Sequence, residues 1–135
     1  MRLAFGTDER TALTDEIVAR LERNGHEIVV RLEGDPWPDV GRRVGEAVVA
    51  GDAERGVVCC WTGTGVSIAA NKVNGVRAAL CTDAETARGA RRWNEANVLA
   101  IGLRLTSPEV AGEMLDAFLT TEPDPEEAET ISKLD

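Results

Sequence analysis

The chain has 135 residues, a formal net charge of −9, three cysteines and one histidine. That length suits one domain able to bury a core without disulfides or a structural metal, and no stretch approaches the ~20 apolar residues of a membrane span. The acidic balance disfavours nucleic acid and anionic membranes as partners, because both ask for a basic face. Cys59, Cys60 and Cys81 are an odd set in apolar runs, so free thiols in a reducing, cytoplasmic compartment are expected rather than a disulfide framework.

Taken in order, Met1–Phe5 reads as a first strand stopped at Gly6, followed by the charged loop Thr7-Asp8-Glu9-Arg10. Ile17, Val18 and Leu21 recur at helical spacing from Thr14, the expected cap, to Asn24, with Gly25 as the stop. His26–Leu32 reads as an inner strand, and Val40, Val44, Ala47 and Val48 mark a helix ending near Gly51. A third strand, Gly56–Cys60, runs into the turn Thr62-Gly63-Thr64-Gly65 and a short helix that Asn74-Gly75 ends. Val76–Cys81, a helix over Ala84–Glu95, and the strand Asn97–Gly102 follow. Ser107-Pro108-Glu109 then has the form of a helix start. Strand and helix alternate throughout, which implies an α/β fold with a parallel sheet, helices on both faces and ligands at the carboxyl ends of the strands. The domain is expected over 1–121. Residues 122–135, with six acidic side chains and one lysine, read as an acidic C-terminal tail, helical and solvated.

The chemistry concentrates between Val57 and Val73. A strand-to-helix turn presents several backbone N–H groups to one point with the positive end of a helix dipole behind them, so it can hold an anion or a developing oxyanion. Cys60 closes the strand at the lip of this turn, where a helix N-terminus favours the thiolate, while Cys59 points to the opposite face. Gly63-Thr64-Gly65 begins a dinucleotide fingerprint, but Ile68 stands where the third glycine or alanine belongs, and the chain has no room for a second nucleotide-binding half. No second Cys or His lies at metal-ligand spacing. The lone His26 falls at the amino end of the sheet, which excludes Ser-His-Asp and Cys-His hydrolysis. Arg88, Arg91 and Arg92 read either as a solvated helix face or as cations for an anionic ligand.

Cys60-x-Thr62-Gly63-x-Gly65-x-Ser67-Ile68-Ala69-Ala70-Asn71-Lys72, Gly75-Val76-Arg77-Ala78-Ala79, Asn94-x-x-Asn97-Val98-Leu99-Ala100 with Gly102 and Arg104, and Ala4-Phe5-Gly6-x-Asp8 together resemble the ribose-5-phosphate isomerase B family, which includes galactose-6-phosphate isomerase. The resemblance covers about residues 1 to 120. It implies a three-layer α/β/α sandwich with a five-stranded parallel Rossmann-like sheet, and a homodimer with sites at the subunit interface. It also implies cofactor-free, metal-independent aldose–ketose isomerisation of a pentose or hexose phosphate through a cis-enediolate. Carried over by position, Cys60 matches the base that moves a proton between C1 and C2. Gly63, Thr64, Gly65 and Val66 match the enediolate-stabilising loop, with Ser67 beside them. Thr62 and Asp8 match ring opening and hydroxyl binding, and Asn94 matches a polar contact.

Four departures stand out. Glu9 and Trp93 replace histidines, Trp61 replaces a glycine, and the acidic tail lacks the family's phosphate-binding arginines. Arg10, Arg91, Arg92 or Arg104 are the candidates to replace those cations. Trp61 and Trp93 offer stacking faces for a sugar without phosphate, the alternative substrate class. A catalytically silent sugar- or anion-binding protein is the other alternative.

Overall fold

A computed structural model describes residues 1–135. Short runs of Val, Ile, Leu and Cys form five parallel strands, β1 (Arg2–Thr7), β2 (Glu27–Glu33), β3 (Arg55–Cys60), β4 (Ala78–Leu80) and β5 (Val98–Gly102), in the order β2-β1-β3-β5-β4. Between and after them run α1 (Ala12–Arg23), α2 (Trp37–Val49), α3 (Thr64–Asn71), α4 (Ala84–Asn94) and α5 (Pro108–Thr120). Alternate residues of each strand point to opposite faces. Leu3, Phe5, Val57, Cys59, Leu99 and Ile101 pack against α1, α4 and α5, while Ala4, Val58, Cys60, Val98 and Ala100 pack against α2 and α3. The result is an α/β/α sandwich with two cores and β3 at its centre.

Several boundaries differ from the sequence reading for identifiable reasons. Gly6 does not stop β1 but lies inside it, because a side chain there would stand 2.7 Å from Val40 Cγ1 and 3.1 Å from Val44 Cγ2 of α2. The cap of α1 is Thr11, not Thr14. Thr11 Oγ1 accepts from Thr14 N–H at 3.2 Å and Thr14 Oγ1 accepts from Thr11 N–H at 2.8 Å, a reciprocal box that closes the first turn. The strand after His26 is an edge strand rather than an inner one. Edge strand β4 is short, and the Asn71 side chain caps it by donating to Ala78 O at 3.0 Å and accepting from Ala78 N at 2.8 Å.

The C-terminal segment forms a 3-10 turn at Pro125–Glu127 and a last short helix, α6 (Ala128–Ser132), with Ile131 buried. Its acids reach back to the domain: Glu122 to Arg55 at 3.4 Å, Asp124 to Arg92 at 3.6 Å and Asp135 to Arg77 at 3.6 Å. No helix is long and apolar enough to cross a membrane.

Candidate active site

The sheet order creates a switch between β1 and β3. The chain leaves β1 toward α1 on one face and leaves β3 toward α3 on the other, so the carboxyl ends of these neighbouring strands border a crevice. Asp8 and Cys60 stand side by side at that edge, where Asp8 N–H donates to Cys59 O at 3.4 Å. Cys60 is buried, with 5% of its surface exposed, and sits on the α2/α3 face. Cys59 lies on the opposite face, where full burial pushes its thiol well above the ordinary range. Burial also pushes the Cys81 thiol up, to about 11.

The glycine turn has the geometry that its sequence implies. Gly63 adopts φ +79°, and a side chain there would meet Leu80 Cδ1 at 2.6 Å and the Gly102 backbone nitrogen at 2.8 Å. The first backbone bond into α3 runs from Ser67 N–H to Gly63 O at 3.2 Å, so the amides of Thr64, Gly65 and Val66 lie ahead of the helical ladder. Thr62 and Thr64 share a hydroxyl–hydroxyl hydrogen bond of 2.8 Å in front of them. Beyond β5 the chain holds this loop from below, with Leu103 N–H donating to Cys60 O at 3.0 Å and Arg104 N–H to Trp61 O at 2.8 Å. Above the turn lies Trp37, the first residue of α2, which the sequence gives no reason to place there. Its ring would stand 2.9 Å from any side chain at Gly65, so a glycine there and an indole at the head of α2 fit one another.

On the β1 side, Thr7 is fully buried and its hydroxyl donates to Glu9 O at 2.6 Å, fixing the turn that carries Asp8. Asp8 Oδ1 is buried without a hydrogen-bond partner, and desolvation, with Glu9 adding to it, raises this carboxyl above its ordinary value. Glu9 is exposed. Arg10 is held by Asp15 at 2.8 Å and Glu33 at 3.4 Å, so its charge is already matched.

The chain therefore gathers Asp8, Glu9, Cys60, Trp61, Thr62, Gly63, Thr64, Gly65, Val66 and Ser67 at one end of the sheet. It does not gather Arg92, Trp93 and Asn94. Helix α4 starts past the carboxyl end of β4 and returns toward the amino end of β5, so its last turn lies at the opposite end from Cys60. There Arg92 stacks over Trp93 at 5.9 Å and pairs with Asp124, and Asn94 lines the largest cavity, about 530 Å³, with Arg77 and Asp135. The reading of Arg91 as a solvated or anion-binding cation beside the turn is corrected. It is 5% exposed, donates to Thr121 O at 3.0 Å and Ala96 O at 2.6 Å, and burial with Arg55 nearby lowers it to about 10. Arg88 pairs with Glu85 on the surface. His26 accepts from the amino group of Met1 at 3.0 Å, far from the crevice, and burial lowers its basicity.

Among the arginines, Arg104 alone makes no side-chain hydrogen bond or ion pair. It shares the wall of a cavity of about 160 Å³ with Trp61, Thr62, Leu80, Cys81 and Gly102, beside the glycine turn.

A thiol, an unpartnered carboxylate oxygen and a row of free amides around one crevice suit proton transfer next to a carbonyl. The chain is also similar to known sugar-phosphate isomerases. The chain is 38% identical over 123 residues to ribose-5-phosphate isomerase B of Escherichia coli, spanning 87% of this chain and 83% of that one. It is 44% identical over 129 residues to D-erythrulose-4-phosphate isomerase of Pectobacterium atrosepticum, spanning 90% and 84%. The structure of ribose-5-phosphate isomerase B from Clostridium thermocellum superposes with a TM-score of 0.92 at 37% identity, covering 99% of this chain and 95% of that one. The profile of the family described as Ribose/Galactose Isomerase matches residues 3–134, and the chain belongs to that family of sugar-phosphate isomerases.

Proposed function

We propose that this protein interconverts an aldose phosphate and a ketose phosphate of four to six carbons without a metal, through a cis-enediolate, with Cys60 as the base. The observation that carries this reading is the position of Cys60 at the end of β3, between the free amides of Thr64–Val66 and the carboxyl of Asp8. The Cys60 thiolate removes the proton on the carbon next to the carbonyl. The electron pair moves into a carbon–carbon double bond as the carbonyl oxygen takes the negative charge, and the turn amides stabilise that oxygen. The thiol then returns the proton to the neighbouring carbon while a proton passes between the two oxygens. That second transfer and the opening of the sugar ring are assigned to Asp8 and the Thr62–Thr64 hydroxyl pair, which is held together at 2.8 Å.

The relatives act on phosphorylated sugars of different length by their names, ribose 5-phosphate and D-erythrulose 4-phosphate among them. Beside the glycine turn Arg104 is the cation free to take a phosphate, since Arg10 is matched by carboxylates and Arg91 and Arg92 lie at the other end of the sheet. Trp93 and Asn94 reach the chemistry only from a second protomer. The exposed side chains Trp61, Ile68, Trp93 and Leu105 support a face that a twin subunit covers.

The test is exchange of the carbon-bound proton in deuterated water over a panel of tetrose, pentose and hexose phosphates and the free sugars. Exchange with a phosphorylated sugar, abolished by Cys60→Ala, is the expected result. Exchange with free sugars only moves the substrate class, and binding without exchange identifies a silent sugar-binding protein instead.

A further inference from the structure

At the amino end of the sheet, remote from Cys60, a cavity of about 350 Å³ is lined by Arg55 of β3, Arg77 ahead of β4 and Arg91 of α4, against only Glu54 and Glu95 as carboxylates. In a chain of net charge −9 this local balance is reversed. Arg55 and Arg91 are both more than nine-tenths buried, at 8% and 5% exposed. Their known work is structural and leaves part of each guanidinium free, although the exposed Glu122 also reaches Arg55 Nη2 at 3.4 Å. Arg55 donates to Phe118 O at 2.5 Å, Arg91 donates to Thr121 O at 3.0 Å and Ala96 O at 2.6 Å, and both stand 5.8 Å from the Phe118 ring. A guanidinium has five N–H donors in a planar fork. The Nη2 of Arg91 makes no hydrogen bond, and its nearest carboxylate is Glu122 at 4.0 Å, a side chain 78% exposed. Arg77 donates its Nε–H to Glu95 O at 3.0 Å, while acids hold its other nitrogens only loosely, at 3.6 Å from both Glu95 and Asp135.

We infer that this cavity is a second anion site that takes a phosphate group, as inorganic phosphate or as a phosphate monoester. Planar guanidinia are the side chains best matched to a tetrahedral dianion. The mutual repulsion of Arg55, Arg77 and Arg91, which together with burial weakens Arg91's hold on its proton, is relieved when a dianion sits among them. Such an anion would tie β3, β4 and the last turn of α4 together, and that turn carries Trp93 and Asn94. The link to catalysis rests on the proposed function; the binding itself does not.

The experiment is calorimetric titration of the full chain with inorganic phosphate and, separately, with glycerol phosphate, using Arg104→Gln to remove the cation beside the glycine turn. Binding that persists in Arg104→Gln, weakens about tenfold in Arg77→Gln and tightens about threefold in Glu54→Gln is expected, given charge-assisted bonds in a partly desolvated cavity. Tighter binding of the ester names a phosphorylated metabolite as occupant, and tighter binding of phosphate names the free ion. Glu54→Gln removes an exposed charge and keeps the shape, so it remains informative where Arg77→Gln fails to fold. Absence of binding, or binding lost in Arg104→Gln and indifferent to Glu54→Gln, overturns the assignment. Neither result touches the isomerase reading, which the exchange assay decides.

Discussion

At the crevice, Asp8 has a buried oxygen that nothing in the chain satisfies. A carboxyl raised by burial binds its proton more tightly in the folded than in the unfolded chain, so its cost is absent below the ordinary value of 3.8 and grows as pH rises through the raised one. Asp8→Asn should therefore raise the urea midpoint at pH 7. That gain should close as pH falls past 3.8, and the same variant should lower kcat/KM about 100-fold. Equal stabilisation at every pH would detach the effect from the ionised carboxylate. Cys60 poses the complementary case. Replacing it by alanine deletes one buried sulfur, a packing loss of about 1–2 kcal/mol, whereas losing the base should cost about 1000-fold in exchange rate. Chemical denaturation beside the exchange assay separates the two, and a variant that retains the rate removes Cys60 from the mechanism.

Between elements, glycines decide how closely α2 and α3 approach and so where the amides of the turn point. A side chain at Gly41 would fall 2.6 Å from Ala69 Cβ and 2.7 Å from Val66 O, and backbone does not move aside cheaply. Gly41→Ala should cost about 1–3 kcal/mol by overpacking and lower kcat more than it raises KM, because it shifts the head of α3. Gly63→Ala adds the left-handed cost of about 1–2 kcal/mol to its clash and should be the more damaging of the two. These positions also show what a single sequence can and cannot convey. The alternation of strands and helices, the capping serine at Ser107 and the turn at Gly63 are local signals, and each is written in neighbouring residues. The role of Gly6 depends on α2, which packs across it from far along the chain, so the residue looks like a stop when only its neighbours are considered. Arg91 looks solvated from its charge and is buried because Phe118 and the carbonyls of Thr121 and Ala96 surround it. Trp37 is invisible as a wall of the turn until α2 is laid over Gly65.

For the whole molecule, the decisive fact is that the two halves of the sequence-derived site lie at opposite ends of one sheet, the Cys60 turn at the carboxyl end and Trp93-Asn94 at the last turn of α4. Within one chain the sandwich separates them, and the proposed second copy would bring them together. A two-fold arrangement makes both sites equivalent, each with Cys60 from one subunit and Asn94 from the other. That arrangement predicts complementation. Cys60→Ala and Asn94→Ala homodimers should both be inactive or nearly so. In a mixed dimer, one site receives both substitutions and the other receives none. Unfolding and refolding the two variants together at equal amounts makes half of the dimers mixed, each with one intact site, so activity should return to about a quarter of the unsubstituted level. A site completed within one chain has no intact copy in any such mixture. Activity that stays at the level of the separate variants, with mixed dimers verified by mass, would place Asn94 outside the partner's site and leave Cys60, Asp8 and the turn amides to act from one subunit alone.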